Sequence, residues 1–131
     1  MRDVTRLIIW QRAVELSSQI TKAIPIAAGR KSPGLRRQAI RAASGIAEAI
    51  AEGCGKSSDW ELARFVDIAC GSATELQTQL VLAHRHGVLR APQFKKFWQE
   101  CSELRRMMMA FERKVRERAE RKDDEGRRII R

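Results

Sequence analysis

The sequence predicts an all-α protein that folds as an antiparallel up-down-up-down four-helix bundle. Apolar residues recur every three or four positions in four segments, and no segment alternates strictly between apolar and polar residues as a half-buried strand does. The connections are short, so consecutive helices are expected to pack antiparallel. We assign the bundle to residues 1–118 and a charged C-terminal tail to residues 119–131.

The first helix is expected from about Leu7 to Ile24, where an apolar stripe that includes Trp10 is closed by Pro25. The following connection, PIAAGRKSPG, contains two prolines and two glycines and predicts a loop. The second helix is expected over about Leu35–Glu52. Small residues dominate its inner face, which allows a neighbouring backbone to approach closely.

The segment GCGKSS, residues 53–58, resembles part of a phosphate-binding loop. The full motif, GxxxxGK[ST], requires a glycine where this chain has Ile50, and the preceding residues follow the period of a helix. We therefore interpret the segment as a helix–helix turn rather than a nucleotide site. Gly53 would end the second helix in a left-handed conformation, and Ser58 with Glu61 would form a capping box that opens the third.

The third helix is predicted over Asp59–Arg85, with Gly87 as its stop, and the fourth is predicted to open at Pro92. The fourth helix keeps Phe94 and Trp98 on one apolar face and then loses its stripe in the mixed-charge segment RERAERKDDEGRRIIR, which is expected to fray. At 1.5 Å per residue the last two helices would each extend roughly 40 Å and the first two about 27 Å. The overhang leaves apolar surface that a second copy could cover, which predicts a homo-oligomer.

Composition limits the function classes. The 26 Lys+Arg residues against 16 Asp+Glu residues give a net charge of +10, which favours polyanionic partners such as nucleic acid. Charged residues interrupt the N-terminal segment MRDVTRLIIWQRAVELSSQI too often for a secretory signal or a membrane span. The three cysteines are widely spaced and indicate reduced thiols. We therefore expect a cytoplasmic protein with no membrane partner.

The sequence contains no catalytic, cofactor-binding or metal-binding constellation. His84 and His86 are two residues apart, so on a helix they point about 200° apart and cannot chelate one metal ion. No Glu-x-x-His pair is available for a di-iron site. Cys54 is expected to be the most exposed thiol, but no histidine stands at a helical-neighbour position to activate it. These observations predict a non-enzymatic protein without a cofactor.

Two stretches, residues 30–41 and 84–96, are rich in cations and contain no acid. In an antiparallel bundle both stretches lie at one end, so we expect a single nucleic-acid-binding patch, in which Arg37 and Arg41 share a helix face. A surface that serves only solubility is the alternative. The predicted patch consists of Arg30, Lys31, Arg36, Arg37, Arg41, Arg85, Arg90, Lys95 and Lys96.

The segment IAEGCGKSSDWELARFVDIACGSATELQTQLVLA resembles the central motif of the S23 ribosomal or 23S rRNA intervening-sequence protein family, roughly IAEGxGRxSxxExxRFLxIAxGSxxELxTQL. LIIWQRAVEL, and GLRRQ followed by RAA, resemble its N-terminal patterns, so the resemblance covers about residues 7–115. A proline common before the motif is missing, which predicts a straighter second helix, and Lys56 replaces the usual arginine. The motif residues are Gly53, Gly55, Ser58, Glu61, Arg64, Gly71, Ser72 and Glu75.

The resemblance implies a bundle that assembles into a ring, commonly a homopentamer, with affinity for RNA and no established catalytic activity. Gly71 and Ser72 are expected to allow a close helix crossing, and Arg64 with Glu75 to form buried or interfacial polar links. The leading hypothesis is a non-enzymatic, homo-oligomeric adaptor that associates with RNA. The alternatives are a protein–protein interaction scaffold with incidental polyanion affinity, and an enzyme acting on a small molecule, for which no convergent set of residues is found.

Overall fold

A computed structural model describes residues 2–130 of the chain. Within this range the backbone forms four α-helices, two short 3-10 helices and no strand, which confirms the predicted all-α class with four helices. The α-helices are α1 (Ile8–Ala23), α2 (Leu35–Cys54), α3 (Asp59–Arg85) and α4 (Ala91–Ile130). The 3-10 helices span Val4–Arg6 and Ile26–Arg30, the second of them within the connection predicted as a loop. None of the helices in residues 2–130 is both long enough and apolar enough to cross a membrane.

One hydrophobic core runs along the inner faces of the helices. Its residues follow the helical period, because positions three and four apart share a face. The buried residues of α1 are Ile9, Ala13, Leu16 and Ile20. The buried residues of α2 are mostly small, which brings its backbone close to α3. They are Leu35, Ala39, Ala42, Ala43, Ile46, Ala49, Ile50, Gly53 and Cys54.

Contacts between α3 and α4 pair residues in reversed order. The Gln77 side-chain amide donates to the Ser102 hydroxyl at 2.9 Å, whereas nearer the start of α3 Asp67 accepts from Arg116 at 2.8 Å. Residue numbers therefore rise along α4 as they fall along α3. The same reversed order is seen between α2 and α3, where Gly45 faces Ser72 and Gly53, later in α2, faces Leu62, earlier in α3.

The connection between α2 and α3 is a helix–helix turn, but its glycines act differently from the prediction. Gly53 lies inside α2, and positive φ angles within residues 2–130 occur only at Gly34 and Gly87, so the predicted left-handed Gly53 is wrong. Glycine is required at position 53 because a Cβ there would lie 2.9 Å from Phe65 Cβ and 3.0 Å from Leu62 Cδ1. The residue permits a close approach of two helices rather than a change of backbone direction.

The caps of α3 are those the sequence predicts. Ser58 Oγ accepts a hydrogen bond from the Glu61 backbone N–H at 3.2 Å, which confirms the serine half of the predicted capping box. The Glu61 carboxylate accepts from the Ser58 hydroxyl at 3.2 Å. At the other end Gly87 has φ 73°, a left-handed conformation that glycine adopts without a Cβ penalty. Gly87 is therefore confirmed as the stop of α3.

The fourth helix is longer than predicted. It continues through Ile130, about 60 Å at 1.5 Å per residue, so the expected fraying after residue 116 is wrong. The extra turns are tied to the start of α3 by Asp59, whose side chain is only 8% exposed and accepts from Arg118 at 2.9 Å and Lys122 at 3.0 Å. The predicted boundary after residue 118 falls within this helix and remains a prediction about domain organisation.

Candidate nucleic-acid interface

The two acid-free basic stretches lie side by side at one end of the molecule. We call this region the basic end and define it as residues 30–41 and 84–96. The Lys31 ammonium donates to the Gly87 carbonyl at 3.5 Å, and His86 Nδ1 lies 2.9 Å from the Ser32 hydroxyl. These contacts join the segment before α2 to the turn between α3 and α4.

Two positive-φ glycines and a buried leucine shape the basic end. Gly34, with φ 81°, turns the chain into α2, and Gly87, with φ 73°, turns it out of α3. Leu89 is buried, and its backbone N–H donates to the Ala83 carbonyl at 3.1 Å. The apolar anchor fixes the α3–α4 turn, while the charged residues on either side remain in solvent.

Arg36 differs from the other predicted contact residues. Its Nε donates to the Ile24 carbonyl at 2.8 Å, and its Nη2 donates to the Thr21 carbonyl at 3.5 Å. These carbonyls lie at the end of α1 and lack a partner within the helix, so the Arg36 side chain caps the C-terminus of α1. Its positive charge also interacts favourably with the negative end of the helix dipole. It has less freedom to meet a ligand than the sequence suggests.

The remaining cations of the basic end are exposed. Lys31 is the only one of these whose side chain makes a hydrogen bond inside residues 2–128, and no carboxylate oxygen of those residues lies within 4.0 Å of any of their charged groups. Their charge is therefore available to an external anion without breaking an ion pair. The exposed set is Arg30, Lys31, Arg37, Arg41, Arg85, Arg90, Lys95 and Lys96.

An open groove of about 750 Å³ crosses the α2 side of the basic end. Its apolar part includes Ile26, which is 82% exposed, and its rim carries guanidinium groups. Exposed apolar surface beside cations suits a ligand that carries both anionic and apolar groups. The groove is lined by Ile26, Gly29, Gly34, Arg36, Arg37, Ile40, Arg41 and Ser44.

A row of three rings extends the basic end along the seam between α3 and α4. The His84 ring stacks on Phe94 with 5.0 Å between centroids and 12° between planes, and Phe94 contacts Trp98 with 5.8 Å between centroids. His84 is exposed, and Trp98 is 39% exposed rather than part of the core. The sequence signal was the spacing of four between Phe94 and Trp98, but nothing local indicated that His84 would complete the row.

The thiols lie in positions unsuited to nucleophilic chemistry. Cys54 is buried, so the expectation that it is the most exposed thiol is wrong. Burial raises the pKa of Cys101 to about 12, and burial together with the nearby Glu112 and Asp67 carboxylates raises the pKa of Cys70 to about 11. Both thiols are therefore protonated at neutral pH, and the reactive thiolate is scarce. Among the described residues, no group of three or more His, Cys, Asp or Glu side chains is placed to hold a metal ion.

The motif residues fall into structural and exposed groups. Gly55 terminates α2, since its backbone N–H donates to the carbonyls of Ala51 and Glu52 at 3.2 and 3.1 Å. The expected crossing at Ser72 exists, but the glycine that permits it is Gly45, where a Cβ would lie 3.2 Å from Ser72 Oγ. Within a protomer no neighbouring atom lies within 4 Å of the position that a Cβ of Gly71 would occupy, so Gly71 makes no helix crossing inside the protomer and its expected role remains a prediction.

An exposed stripe on α3 carries the other motif residues. Arg64, Ile68, Gly71 and Glu75 are separated by four, three and four residues, so they share one face of the helix. Ile68 is 45% exposed, and neither Arg64 nor Glu75 pairs with an opposite charge in residues 2–128. Arg64 and Glu75 are therefore not buried within a protomer. An open groove of about 760 Å³ runs between α2 and the Ile68 part of the stripe, lined by Gly45, Glu48, Ala49, Ala51, Glu52, Ile68 and Ser72.

Comparisons with known proteins agree with this fold. A family model described as 23S rRNA-intervening sequence protein matches residues 5–110. A crystal structure of a protein of unknown function from the S23 ribosomal protein family of Bacteroides thetaiotaomicron is similar, with a TM-score of 0.71 over 79% of this chain and 97% of that chain. The sequence identity is 18%, so this similarity concerns the fold alone. No curated protein matches the chain.

Proposed function

The chain belongs to the 23S rRNA-intervening sequence protein family, and we propose that it is a non-enzymatic, homo-oligomeric adaptor that associates with RNA through its basic end. The family assignment confirms the resemblance found in the sequence. The observation that carries the RNA proposal is the gathering of exposed cations from two distant stretches, without an internal carboxylate partner, at one end of the fold.

The proposed architecture is the antiparallel up-down-up-down bundle. It is supported at both ends of α2: Arg36 near its start binds the Ile24 carbonyl at the end of α1, and the Cys54 carbonyl at its end accepts from the Arg2 N–H at 3.4 Å. The reversed pairing of α3 with α4 supports the same arrangement. In this topology the start of α2 and the α3–α4 turn share one end, as the contacts of Lys31 and His86 require.

Phosphate binding at the basic end is expected to depend strongly on salt. Each phosphate that a lysine or arginine neutralises releases condensed counterions, which contributes about 0.7 to 0.9 to the log–log slope of affinity against salt concentration. Arg37 and Arg41 lie four apart on α2 and are both exposed, so they can meet phosphates of one strand. They test the patch better than Arg36, whose removal would also uncap α1.

The test compares two double variants that change the net charge equally. Arg37→Gln/Arg41→Gln alters the basic end, and Arg113→Gln/Arg121→Gln alters exposed cations of α4 outside it. Affinity for a structured RNA is measured by fluorescence anisotropy across a salt series. The first variant should reduce the slope by about 1.5, on the values above for two phosphate contacts, while the second leaves it near the wild-type value. Equal slopes for the two variants would exclude a localised patch.

We propose that copies of the chain associate through the exposed stripe of α3. Support comes from its apolar Ile68, its unpaired Arg64 and Glu75, and the open space at Gly71, which allows close approach of a second backbone. A pentameric ring is the assembly that the family resemblance implies. Ile68→Lys should reduce the sedimentation coefficient at a fixed concentration, whereas Val14→Lys, at a similarly exposed apolar residue of α1, should not. A wild-type protein that sediments as a 14.9 kDa monomer at all concentrations would contradict the proposal.

The non-enzymatic part of the proposal rests on the raised pKa values of the three thiols, of which Cys54 and Cys101 are buried, and on the separate engagement of the two histidines. His84 Nδ1 lies 3.1 Å from the Leu89 carbonyl and His86 Nδ1 lies 2.9 Å from Ser32 Oγ, so they do not converge. We also propose a cytoplasmic location, which suits a chain whose three cysteines are all unpaired.

A protein–protein interaction scaffold with incidental polyanion affinity is the second candidate. It is favoured by an open groove of about 490 Å³ between α1 and α4, where Ile8 is 61% exposed and Met107 and Phe111 are half-buried. Ile8→Glu would place a charge in this groove. If the scaffold hypothesis is correct, a partner recovered in fixed stoichiometry after nuclease treatment is lost with this variant and retained with Arg37→Gln/Arg41→Gln.

A further inference from the structure

We propose that the His84–Phe94–Trp98 row binds unpaired bases, so that the RNA held at the basic end is single-stranded where it crosses the seam between α3 and α4. This inference rests on the proposed RNA association and adds the class of nucleic acid. Its starting point is that His84 and Trp98, the two outer rings of the row, are exposed to solvent instead of packing in the hydrophobic core.

The geometry of the row leaves aromatic surface in solvent at both ends. Phe94 is half-buried between the other two rings, whereas His84 is exposed and Trp98 keeps 39% of its surface in solvent. The neighbours of Trp98 on α4, Phe97 and Cys101, are both buried, so the helix places the tryptophan at the side of the core rather than inside it. An exposed indole offers a flat apolar face to a base.

The ring positions are fixed before any ligand binds. His84 Nδ1 lies 3.1 Å from the Leu89 carbonyl, and the His84 and Phe94 planes are 12° apart. Phe94 and Trp98 are one helical turn apart on α4, with centroids at 5.8 Å. A ring held in place loses little conformational entropy on stacking, so more of the stacking energy contributes to affinity.

Exposed cations adjoin the row in the sequence. Arg85 follows His84 in sequence, Lys95 follows Phe94, and both cations are exposed and unpaired within residues 2–128. Single-strand binding surfaces combine a positive track for the backbone with rings on which bases stack. In a duplex the base faces are covered by their neighbours, so duplex phosphates can reach the cations while the rings contribute nothing.

The test uses two tryptophans of almost equal exposure. Trp98 is 39% exposed beside the cations, whereas Trp60 is 40% exposed at the first turn of α3, where its indole N–H donates to Asp123 at 3.0 Å. Trp98→Leu removes the ring at the seam, Trp60→Leu is the matched control, and Trp98→Phe keeps an aromatic face. Far-UV circular dichroism checks that each variant is folded.

Affinity is measured for an unstructured 20-nucleotide oligouridylate and for a 20-base-pair RNA duplex at one salt concentration. Stacking on an aromatic side chain contributes enough per base that its loss weakens binding by about 5- to 150-fold. Trp98→Leu should therefore weaken single-strand binding by at least about 5-fold and leave duplex binding unchanged. Trp98→Phe should restore most of the affinity, and Trp60→Leu should have no effect.

The outcomes separate this inference from the proposed function. If the wild type binds neither RNA at low salt, the RNA adaptor itself is refuted. If the wild type binds and Arg37→Gln/Arg41→Gln weakens binding, but Trp98→Leu binds the oligouridylate as well as wild type, only the stacking proposal is overturned. Equal losses for single strand and duplex in Trp98→Leu would also overturn it, because they would indicate a general change of the surface.

Discussion

The sharpest test of the packing is a pair of glycine-to-alanine substitutions. At Gly53 the added methyl would lie 2.9 Å from Phe65 Cβ, 3.0 Å from Leu62 Cδ1 and 3.3 Å from the Leu62 carbonyl oxygen. Relaxed contacts between carbon atoms are about 3.5 to 4.0 Å. The leucine methyl can rotate away, but Phe65 Cβ and the Leu62 carbonyl move only with the backbone of α3. Gly71, in the middle of α3, has no atom within 4 Å of the same position.

The two substitutions should change the free energy of unfolding in opposite directions. Overpacking at a site that cannot relax costs about 1 to 3 kcal/mol. Replacing glycine by alanine in a helix interior stabilises the fold by up to about 1 kcal/mol through helix propensity. The gain is smaller at Gly53, because α2 ends one residue later. We therefore expect Gly53→Ala to lower the unfolding free energy by about 1 to 2 kcal/mol and Gly71→Ala to raise it by about 1 kcal/mol.

The measurement is urea unfolding followed by circular dichroism, at a protein concentration where sedimentation gives the same dissociated state for all three proteins. A change in stability moves the transition midpoint at constant slope. If Gly53→Ala is as stable as the wild type or more stable, the close crossing of α2 and α3 at this residue is refuted. Shifts of equal sign and size for both variants would also refute it, because they would reflect helix propensity alone.

Three further substitutions test other parts of the fold. Ser58→Ala removes the side-chain cap of α3 and should lower the unfolding free energy, measured by urea unfolding, by about 1 kcal/mol. The control Ser57→Ala, at an exposed serine that does not cap the helix, should cause no loss. Asp59→Asn removes the carboxylate that Arg2, Arg118 and Lys122 share and should lower the unfolding free energy by about 1 to 3 kcal/mol, a limited loss because the three cations can rehydrate. An unchanged melting temperature in this variant would contradict the anchoring of α4 by Asp59. The Cys101 thiol has a pKa of about 12 in the fold against an ordinary value of 9, so above pH 9 the unfolded chain loses its proton first, and stability falls as pH rises towards 12. Cys101→Ala should flatten this alkaline decline, and identical pH slopes for the two proteins between pH 9 and 11 would refute the assignment.

Local signals in the sequence were sufficient for most of the helix boundaries. The Ser58–Glu61 cap and the left-handed Gly87 depend on residues within one turn of each other, so a pattern along the chain is enough to find them. The role of Gly53 depends on Phe65 and Leu62 of another helix, and the sequence records only that a glycine is present. The length of α4 was missed for a similar reason, because the sequence after Val115 has no continuous apolar stripe and the turn that contains Arg118 and Lys122 is held by Asp59 of α3.

The candidate site divides in the same way. The meeting of the two basic stretches followed from helix order alone, since the ends of consecutive helices have few possible neighbours. The binding of Arg36 to the end of α1 could not be predicted in this way, because the sequence does not indicate which carbonyls the side chain of an arginine at the start of a helix will reach. The ring row was missed because His84 and Trp98 are brought together only when α3 and α4 pack.

The distribution of ion pairs bears on whether the basic end serves only solubility. At the opposite end of α3, Asp59 accepts from Arg118 and Lys122, and Arg116 is paired with both Asp67 and Glu112 at 2.8 and 2.6 Å. An excess of charge needed only for solubility gains nothing from being concentrated, because like charges at close range repel and lower the stability of the fold. The chain nevertheless leaves the cations of residues 30–41 and 84–96 without acids in either stretch. The concentration of cations beside exposed rings therefore favours the proposed anionic ligand over a surface that serves only solubility.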